Sequence, residues 1–295
     1  MQRILMSKSI GITGNLSKKS AMDLCTSIIR WLRRRKIACI IDEETAMGLP
    51  AALRNAVVVS TKKIRTTDIT ITLGGDGLLL YTARRLYPCH CAILPVNLGS
   101  LGFNAQVNPD ETLDVLQRAL NGELHVQSRL LLRVHIIREG EDVFNSFALN
   151  EALLGKTTAS RIINVEMHID GEYAAVYRGD GVMVSTPTGS TAYNLAAGGP
   201  IVHPEVESLI ITPLCPHSLS HRSLILPPNH MVYLTYKHVK DREEPLVFVD
   251  GQDSFHLKAG DVVKVYKALK PLKILTQSTG SYLKALREKL LWGGH

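Results

Sequence analysis

The hydrophobic pattern changes character near residue 130. Before that point, short apolar runs alternate with amphipathic ones. Ile4-Leu5-Met6 and Ile10-Gly11-Ile12 bracket a short opening strand. Ala21, Leu24, Cys25, Ile28 and Leu32 then recur at helical spacing, with Ser17 placed to cap that helix. Residues 37–41 read as a strand, 68–73 as another, 77–87 as a helix, 92–96 as a strand and 110–120 as a helix. Strands alternating with helices predict a parallel sheet covered by helices, a Rossmann-like α/β domain. Beyond Leu130 the runs shorten to 131–136, 144–149, 162–169, 182–185, 231–236, 245–249 and 262–266, many of them separated by Gly, Pro, Asn or Asp. Long helical patterns are nearly absent, which predicts an all-β domain of the sandwich type. Residues 281–290 turn helical again, with Tyr282, Leu283, Leu286 and Leu290 on one face. A lone helix has to bury that face, so it is expected to pack back on the first domain. The predicted domains are 1–125 and 126–277, with 278–295 returning to the first.

Composition narrows the class. With 45% hydrophobic and 21% charged residues, the chain is neither a disordered tail nor a rod. The net charge of +7 suits an anionic partner such as a nucleotide, a nucleic acid or phosphate. Aromatic residues at 5% argue against a base-stacking single-strand binder. The basic run Arg33-Arg34-Arg35-Lys36 falls at the end of a predicted helix, where cations complement the helix dipole; a nucleic-acid patch is the alternative. Five irregularly spaced cysteines do not make a disulfide framework and suggest a reducing, cytoplasmic setting. Cys89-His90-Cys91 has no second pair to complete a metal site. No apolar run approaches the roughly 18 residues of a membrane helix, and the first residues do not form a secretory signal.

Four clusters carry chemistry. Gly74-Gly75-Asp76-Gly77 joins a strand to a helix, so its backbone can approach a phosphate at a helix N-terminus. Asp76 would repel that phosphate unless it binds a cation or receives a proton, which suggests a general base or a Mg²⁺ partner. A tight turn with a capping Asp is the plainer alternative. Asn97-Leu98-Gly99-Ser100-Leu101-Gly102-Phe103 repeats the strand-to-glycine turn, and Phe103 either stacks on a base or joins the core. Asn150-Glu151 ends a strand, where an amide beside a carboxylate can read two ribose hydroxyls; as a bare dipeptide it is also ordinary. The densest cluster runs from Arg178-Gly179-Asp180-Gly181 through Ser185-Thr186-Pro187-Thr188-Gly189-Ser190-Thr191-Ala192-Tyr193 to Gly198-Gly199-Pro200. Its hydroxyls either serve a ligand or decorate a Ser/Thr-rich β-loop. Neither a Lys-containing P-loop nor a Gly-x-Ser-x-Gly elbow occurs in the chain.

With all four clusters in this order, the sequence resembles the NAD kinase family. Gly-Gly-Asp-Gly alone is shared with diacylglycerol, sphingosine and 6-phosphofructo kinases; the Thr186-to-Tyr193 segment together with Asn150-Glu151 selects among them. The resemblance implies an α/β domain followed by a β-sandwich. It implies transfer of the γ-phosphoryl of ATP, or of polyphosphate, to the 2′-hydroxyl of the adenosine ribose of NAD with Mg²⁺, in a homodimer or homotetramer. No nucleic-acid or membrane partner is expected. Asp76 matches the proton acceptor, flanked by Gly75 and Gly77 at the phosphate site. Asn150 and Glu151 match the ribose contacts, and Phe103 an aromatic that meets adenine. Asp180, Thr188, Gly189, Ser190, Thr191, Ala192, Tyr193, Asn194, Leu195 and Ala196 match dinucleotide contacts. Arg161 and Arg178 occupy places of polar or basic contacts, Gln252 follows the late Asp250-Gly251 element, and Cys215 lies near an intersubunit site. One departure is Leu78, where the family usually carries Thr or Asn. Alternatives are a lipid or sugar kinase sharing the glycine motif, or a non-catalytic dinucleotide-binding regulator.

Overall fold

The computed structural model describes residues 9–99, 102–105, 107–157, 162–218, 220–237, 244–277 and 281–291. The chain divides into two compact units, 1–128 with 272–295, and 129–271. In the first, strands β1 (Ser9–Gly14), β2 (Ala38–Ile41), β3 (Val58–Val59), β4 (Ile69–Gly74), β5 (Ala92–Asn97) and β6 (His125–Arg129) alternate with helices. The helices are α1 (Lys19–Arg34), α2 (Glu43–Met47), α3 (Ala51–Arg54), α4 (Thr61–Ile64), α5 (Asp76–Leu86) and α6 (Thr112–Leu120). The second unit holds β7 (Leu132–Arg138), β8 (Glu141–Ala148), β9 (Glu151–Gly155), β10 (Ile163–Ile169), β11 (Glu172–Gly179) and β12 (Gly181–Ser185). After the short helix α7 (Tyr193–Ala196) come β13 (Leu209–Leu214), β14 (Leu224–Leu226), β15 (Val232–Tyr236), β16 (Leu246–Val249), β17 (Asp253–His256) and β18 (Val262–Lys267). Strand β19 (Leu272–Thr276) and helix α8 (Ser281–Leu290) return to the first unit.

The first sheet has the order β3-β2-β1-β4-β5-β19-β6. The pairs β1/β2, β1/β4, β2/β3, β4/β5 and β5/β19 are parallel. The chain runs outward from β1 to β3 and then restarts with β4 on the other side of β1. That reversal opens a crevice beyond the carboxyl ends of β1 and β4, the usual ligand position in such sheets. Strand β4 is buried almost throughout because it lies between two neighbours and under helices. Helix α1 presents Ala21, Cys25, Ile28, Ile29 and Leu32 to the sheet. Its basic end is a solvated helix terminus: Arg35 stacks on Trp31 at 3.8 Å and bonds Gln117, and Lys36 leaves the helix at φ 57°.

The second unit is a sandwich of two six-stranded sheets, β11-β10-β15-β18-β7-β8 and β14-β13-β12-β9-β16-β17. Alternate residues of both face one core. Val134, Val165, Leu234 and Val265 come from the first sheet, and Leu154, Val184, Ile211 and Val247 from the second. Among the described residues no helix is long and apolar enough to cross a membrane.

The fold departs from the sequence reading in several places. Ser17 does not cap α1. Lys18 holds that position without a side-chain bond, and Ser17 lies one residue earlier, its N–H donating to Asn15 Oδ1 in a local turn. The first unit resumes at 272, before the boundary expected at 277, because β19 pairs with β5. Helix α8 buries Tyr282, Ala285 and Leu286, and Leu283 is 55% exposed: one residue past 282 turns about 100° away from the buried stripe. Ile4-Leu5-Met6 lies outside the described residues.

Ile71 is fully buried at the centre of β4, paired to β1 and β5. Ile71→Ala is expected to lower stability by about 2–5 kcal/mol, measured as a shift of the urea midpoint.

Candidate functional site

In the first unit, the segments after β1, β4 and β5 converge on a cavity of about 500 Å³. Lys18, Gly75, Asp76, Leu78, Gly99 and Lys289 are among its lining. Gly75 is the N-cap of α5 and Asp76 its first residue. Gly77 follows in the exposed first turn. The amides at this helix start and the ammonium groups of Lys18 and Lys289 make the cavity favourable to a phosphate chain. The Asp76 carboxylate is occupied in part. Phe103 N–H donates to Oδ2 at 2.8 Å, and Asn104 and Ala105 N–H donate to Oδ1 at 3.2 and 2.9 Å. A carboxylate has about four acceptor positions, so one remains on Oδ2. Gly102 is required here, since a Cβ on it would collide with that carboxylate. The loop thus held places Phe103 half-buried, with Lys289 Nζ 5.1 Å from its ring centre. Ser100 and Leu101 lie outside the described residues. Leu78 folds against Gly74, where an added Cβ would come within 2.8 Å of Leu78 Cδ2. The position thus lines the cavity with an apolar side chain.

In the second unit, a cavity of about 390 Å³ is lined by Glu151, Lys156, Asp180, Tyr193, Leu214 and Phe248, among others. Glu151 starts β9, directly opposite Ser185 at the end of β12. Paired residues share a face of the sheet, so their side chains stand together. Glu151 Oε2, Ser185 Oγ, Asn150 Oδ1 and Thr188 Oγ1 are buried without a hydrogen-bond partner in the protein. Leaving such groups unpaired costs about 1–3 kcal/mol each, so four of them around one corner make it suited to a polar ligand. Burial, reinforced by the charge of Asp250, pushes the Glu151 carboxyl up to about 8. Lys156 Nζ pairs with Asp180 Oδ1 at 2.8 Å.

The loop after β12 is fixed by its own hydroxyls. Thr186 Oγ1 donates to Leu149 O at 2.5 Å and accepts from Gly189 N–H at 3.0 Å. Gly189 packs so closely on Asn150 that a Cβ would fall 2.6 Å from the Asn150 Cα. Ser190 Oγ donates within the loop and accepts from Val202 N–H. Asn194 Nδ2 donates to Ser190 O and Pro200 O, while its Oδ1 accepts from Thr212. Both residues are fully buried, so their side chains shape the loop rather than face the cavity. Thr191, Ala192 and Leu195 are half-buried, Ala196 is exposed, and Tyr193 forms cavity wall at 48% exposure. Arg178 and Gln252 are exposed, on β11 and in the turn after β16 respectively. Cys215 is exposed at φ 44° just after β13. Arg161 lies outside the described residues.

Sequence reasoning missed Lys18, Lys156, Ser185, Asp250 and Lys289 as site residues. Ser185 carried a signal, since it opens the hydroxyl run. Lys289 carried none, because only the fold brings residue 289 near residue 76.

Similarity to known proteins places the chain in one family. The family described as ATP-NAD kinase N-terminal domain matches residues 10–124, and ATP-NAD kinase C-terminal domain matches 149–276. The NAD kinase of Citrifermentans bemidjiense is 35% identical over 97% of this chain and 99% of its own length. That of Geobacter metallireducens is 36% identical over the same shares. Among solved structures, yeast NADH kinase complexed with NADH superposes with a TM-score of 0.89 at 24% identity, covering 98% of this chain and 89% of that one. An NAD kinase from Archaeoglobus fulgidus in complex with ATP gives 0.71 at 21%, covering 94% and 96%. At those identities the two structures speak for the fold.

Glu151 makes a prediction about stability. Its folded-state value lies above the unfolded one, so its contribution is complete below about pH 4.5 and is lost as pH rises towards 8. Urea unfolding should show the wild type losing more stability between pH 5 and 8 than Glu151→Gln, by at least about 1 kcal/mol. Parallel profiles for the two proteins would contradict the buried neutral carboxyl.

Proposed function

The chain belongs to the NAD kinase family, and from that premise we propose that it phosphorylates the 2′-hydroxyl of the adenosine ribose of NAD, with ATP as donor, to give NADP. The observation that carries this reading is the pairing of chemistries in one chain. A phosphate-friendly cavity at the carboxyl edge of a parallel sheet has one carboxylate among its described lining residues, and the corner at 150–151, whose Glu151 lines a second cavity, gathers unpartnered oxygens suited to a polyhydroxylated ligand.

The donor phosphates lie in the first cavity, against the start of α5, with Lys18 and Lys289 balancing their charge. Asp76 receives the ribose hydroxyl on the acceptor position left on Oδ2. Held there, the hydroxyl oxygen is aimed at the γ-phosphorus and its proton has a place to go. A ribose hydroxyl is a poor nucleophile at neutral pH, so positioning and charge balance supply most of the acceleration, and the base adds about 10²–10⁴-fold. Glu151 and Tyr193 of the second cavity, beside the Asp180–Lys156 pair, and the unpartnered Asn150, Ser185 and Thr188 next to Glu151 are the groups that meet the dinucleotide. Gly75 lines the first cavity; Gly77, Phe103, Gly189, Thr191, Ala192, Leu195 and Ala196 belong to the segments around the two cavities, and Arg178, Gln252 and Cys215 lie at exposed positions.

No cluster of three His, Cys, Asp or Glu side chains able to hold a metal occurs among the described residues. Mg²⁺ fits as part of the substrate, carried on the phosphates of ATP. Polyphosphate offers the same repeating anion to the same cavity and is the alternative donor. A cytoplasmic setting fits the free thiols of Cys25, Cys39, Cys89, Cys91 and Cys215. Assembly as a homodimer or homotetramer fits Leu224 and Ile225, exposed on the edge strand β14.

An NADP-specific dehydrogenase coupled to the reaction tests the proposal. ATP with Mg²⁺ and NAD should yield NADP, with sphingosine, diacylglycerol and fructose 6-phosphate inert. Asp76→Asn should retain NAD binding by calorimetry while NADP formation falls by about 10²-fold or more. Near-normal turnover in that variant removes Asp76 from the mechanism. NAD binding without NADP formation in the wild type would instead identify a regulator.

A further inference from the structure

Asn150 and Glu151 sit at the corner between β8 and β9, where Leu149 and Asn150 belong to neither strand. Local sequence alone does not fix such a corner. What fixes it comes from a hundred residues later, in the hairpin of β16 and β17. Asp250 and Gly251 occupy the centre of its turn at φ 51° and 62°, closed by Gln252 N–H donating to Val249 O at 3.0 Å. Two positive φ values in succession are the mark of a type I′ turn, and Asp-Gly is a favoured pair for it.

From this turn the buried Asp250 carboxylate gathers three consecutive backbone donors. Leu149 N–H reaches Oδ2 at 2.9 Å, and Asn150 and Glu151 N–H reach Oδ1 at 2.8 and 3.1 Å. The Asp250 N–H returns a bond to Glu151 O at 2.9 Å. Asp250 is only 6% exposed, so water competes little for these bonds. Thr186 closes the other side, its N–H donating to Asn150 O at 2.8 Å. The side chains beyond this rigid backbone end in the unpartnered Asn150 Oδ1 and Glu151 Oε2, and Glu151 is itself 7% exposed.

We propose that Asp250 is a positioning residue for nucleotide binding, holding the 149–151 corner so that Asn150 and Glu151 meet the ligand in one geometry. This rests on the reading of the second-unit cavity as the NAD site. Asp250 acts on Glu151 in a second way, through its charge. Among the described residues, the other ionisable groups lining the cavity are Lys156 and Asp180, paired with each other, and the Tyr193 phenol. Asp250 is therefore the charge that bears on Glu151, and with burial it keeps that carboxyl protonated near neutral pH. A protonated Glu151 donates one hydrogen bond and accepts another, where a carboxylate only accepts. The ligand group it reads is one that both accepts and donates, as a ribose hydroxyl does, and loss of the proton on the alkaline side weakens the fit.

The test uses the full chain, with NAD binding by calorimetry from pH 6 to 9 and steady-state kinetics. The variants are Asp250→Asn, Glu151→Gln and Glu151→Ala, each with its melting temperature recorded. In Asp250→Asn an amide donor faces a backbone N–H and the charge is gone. Its KM for NAD should rise by about tenfold or more, with a smaller fall in kcat. Wild-type affinity should fall as pH rises through about 8; Glu151→Gln, which has no proton to lose, should abolish that fall, and Asp250→Asn should move it to lower pH. Asp250→Asn binding NAD as tightly as the wild type, with Glu151→Ala weakened, overturns the proposal and leaves the NAD site standing. Wild-type binding by Glu151→Ala overturns both. Should Asp250→Asn fail to fold, the wild-type and Glu151→Gln profiles decide: a shared alkaline fall sinks the proposal, and its loss in Glu151→Gln upholds it.

Discussion

A carboxylate that collects three successive backbone N–H groups holds a loop in one conformation, and both cavities depend on that device. Asp76 does it for residues 103–105 and Asp250 for 149–151. In each case the loop lies outside regular structure, so its amides lack ladder partners and need an acceptor. A charged acceptor makes stronger bonds than a neutral one. The two devices differ in what is left over. Asp76 is half-buried, with an acceptor position to offer a substrate. Asp250 is buried, and its carboxylate is spent on the backbone corner it holds.

Function follows from groups that folding leaves unfinished. The hydroxyls of Thr186 and Ser190 bond inside the loop, and so does the Asn194 amide. Those of Ser185 and Thr188, a few residues away, do not. A loop whose polar groups were all satisfied internally would be stable and inert. Here the internally bonded residues make a frame, and the unpaired ones next to them face an energetic penalty that a ligand relieves. The raised proton affinity of Glu151 comes from the same source, a carboxyl placed where its anion is poorly solvated.

The fold class and its two-part organisation were legible because they rest on periodicity. The alternation in residues 68–96 and the alternating burial of β10, β15 and β18 are patterns that a single chain displays. What escaped was either too short or too exposed to show a period. Helices α2, α3 and α4 span only four or five residues, and much of β11 faces solvent. Strand β13 is buried at every position and contains Pro213, so it lacks the alternation that marks a half-buried strand. The site was legible where its residues adjoin in sequence, as at 74–77 and 185–193. Lys289 and Asp250 act on partners more than ninety residues away, and no local pattern announces such a pairing.

Leu78 shows how the phosphate cavity divides its work. A polar side chain at this place would offer one more hydrogen bond to a phosphate; Leu78 offers none and covers Gly74 instead. The cavity therefore relies on groups that the backbone and the helix start provide, and on Lys18 and Lys289. Amide donors fixed by the fold need no rotamer ordering when a phosphate arrives, whereas a Thr or Asn side chain must be held in place. An apolar wall also lowers the local polarity around the anion, which strengthens each remaining donor. With Leu78 in place, the phosphate recognition proposed for this cavity would rest on the backbone more than on a side chain at that position. If the donor phosphates bind as proposed, a cavity built that way would select for phosphate charge and spacing more than for the rest of the donor molecule, because backbone amides and ammonium groups are blind to whatever lies beyond the phosphates they hold.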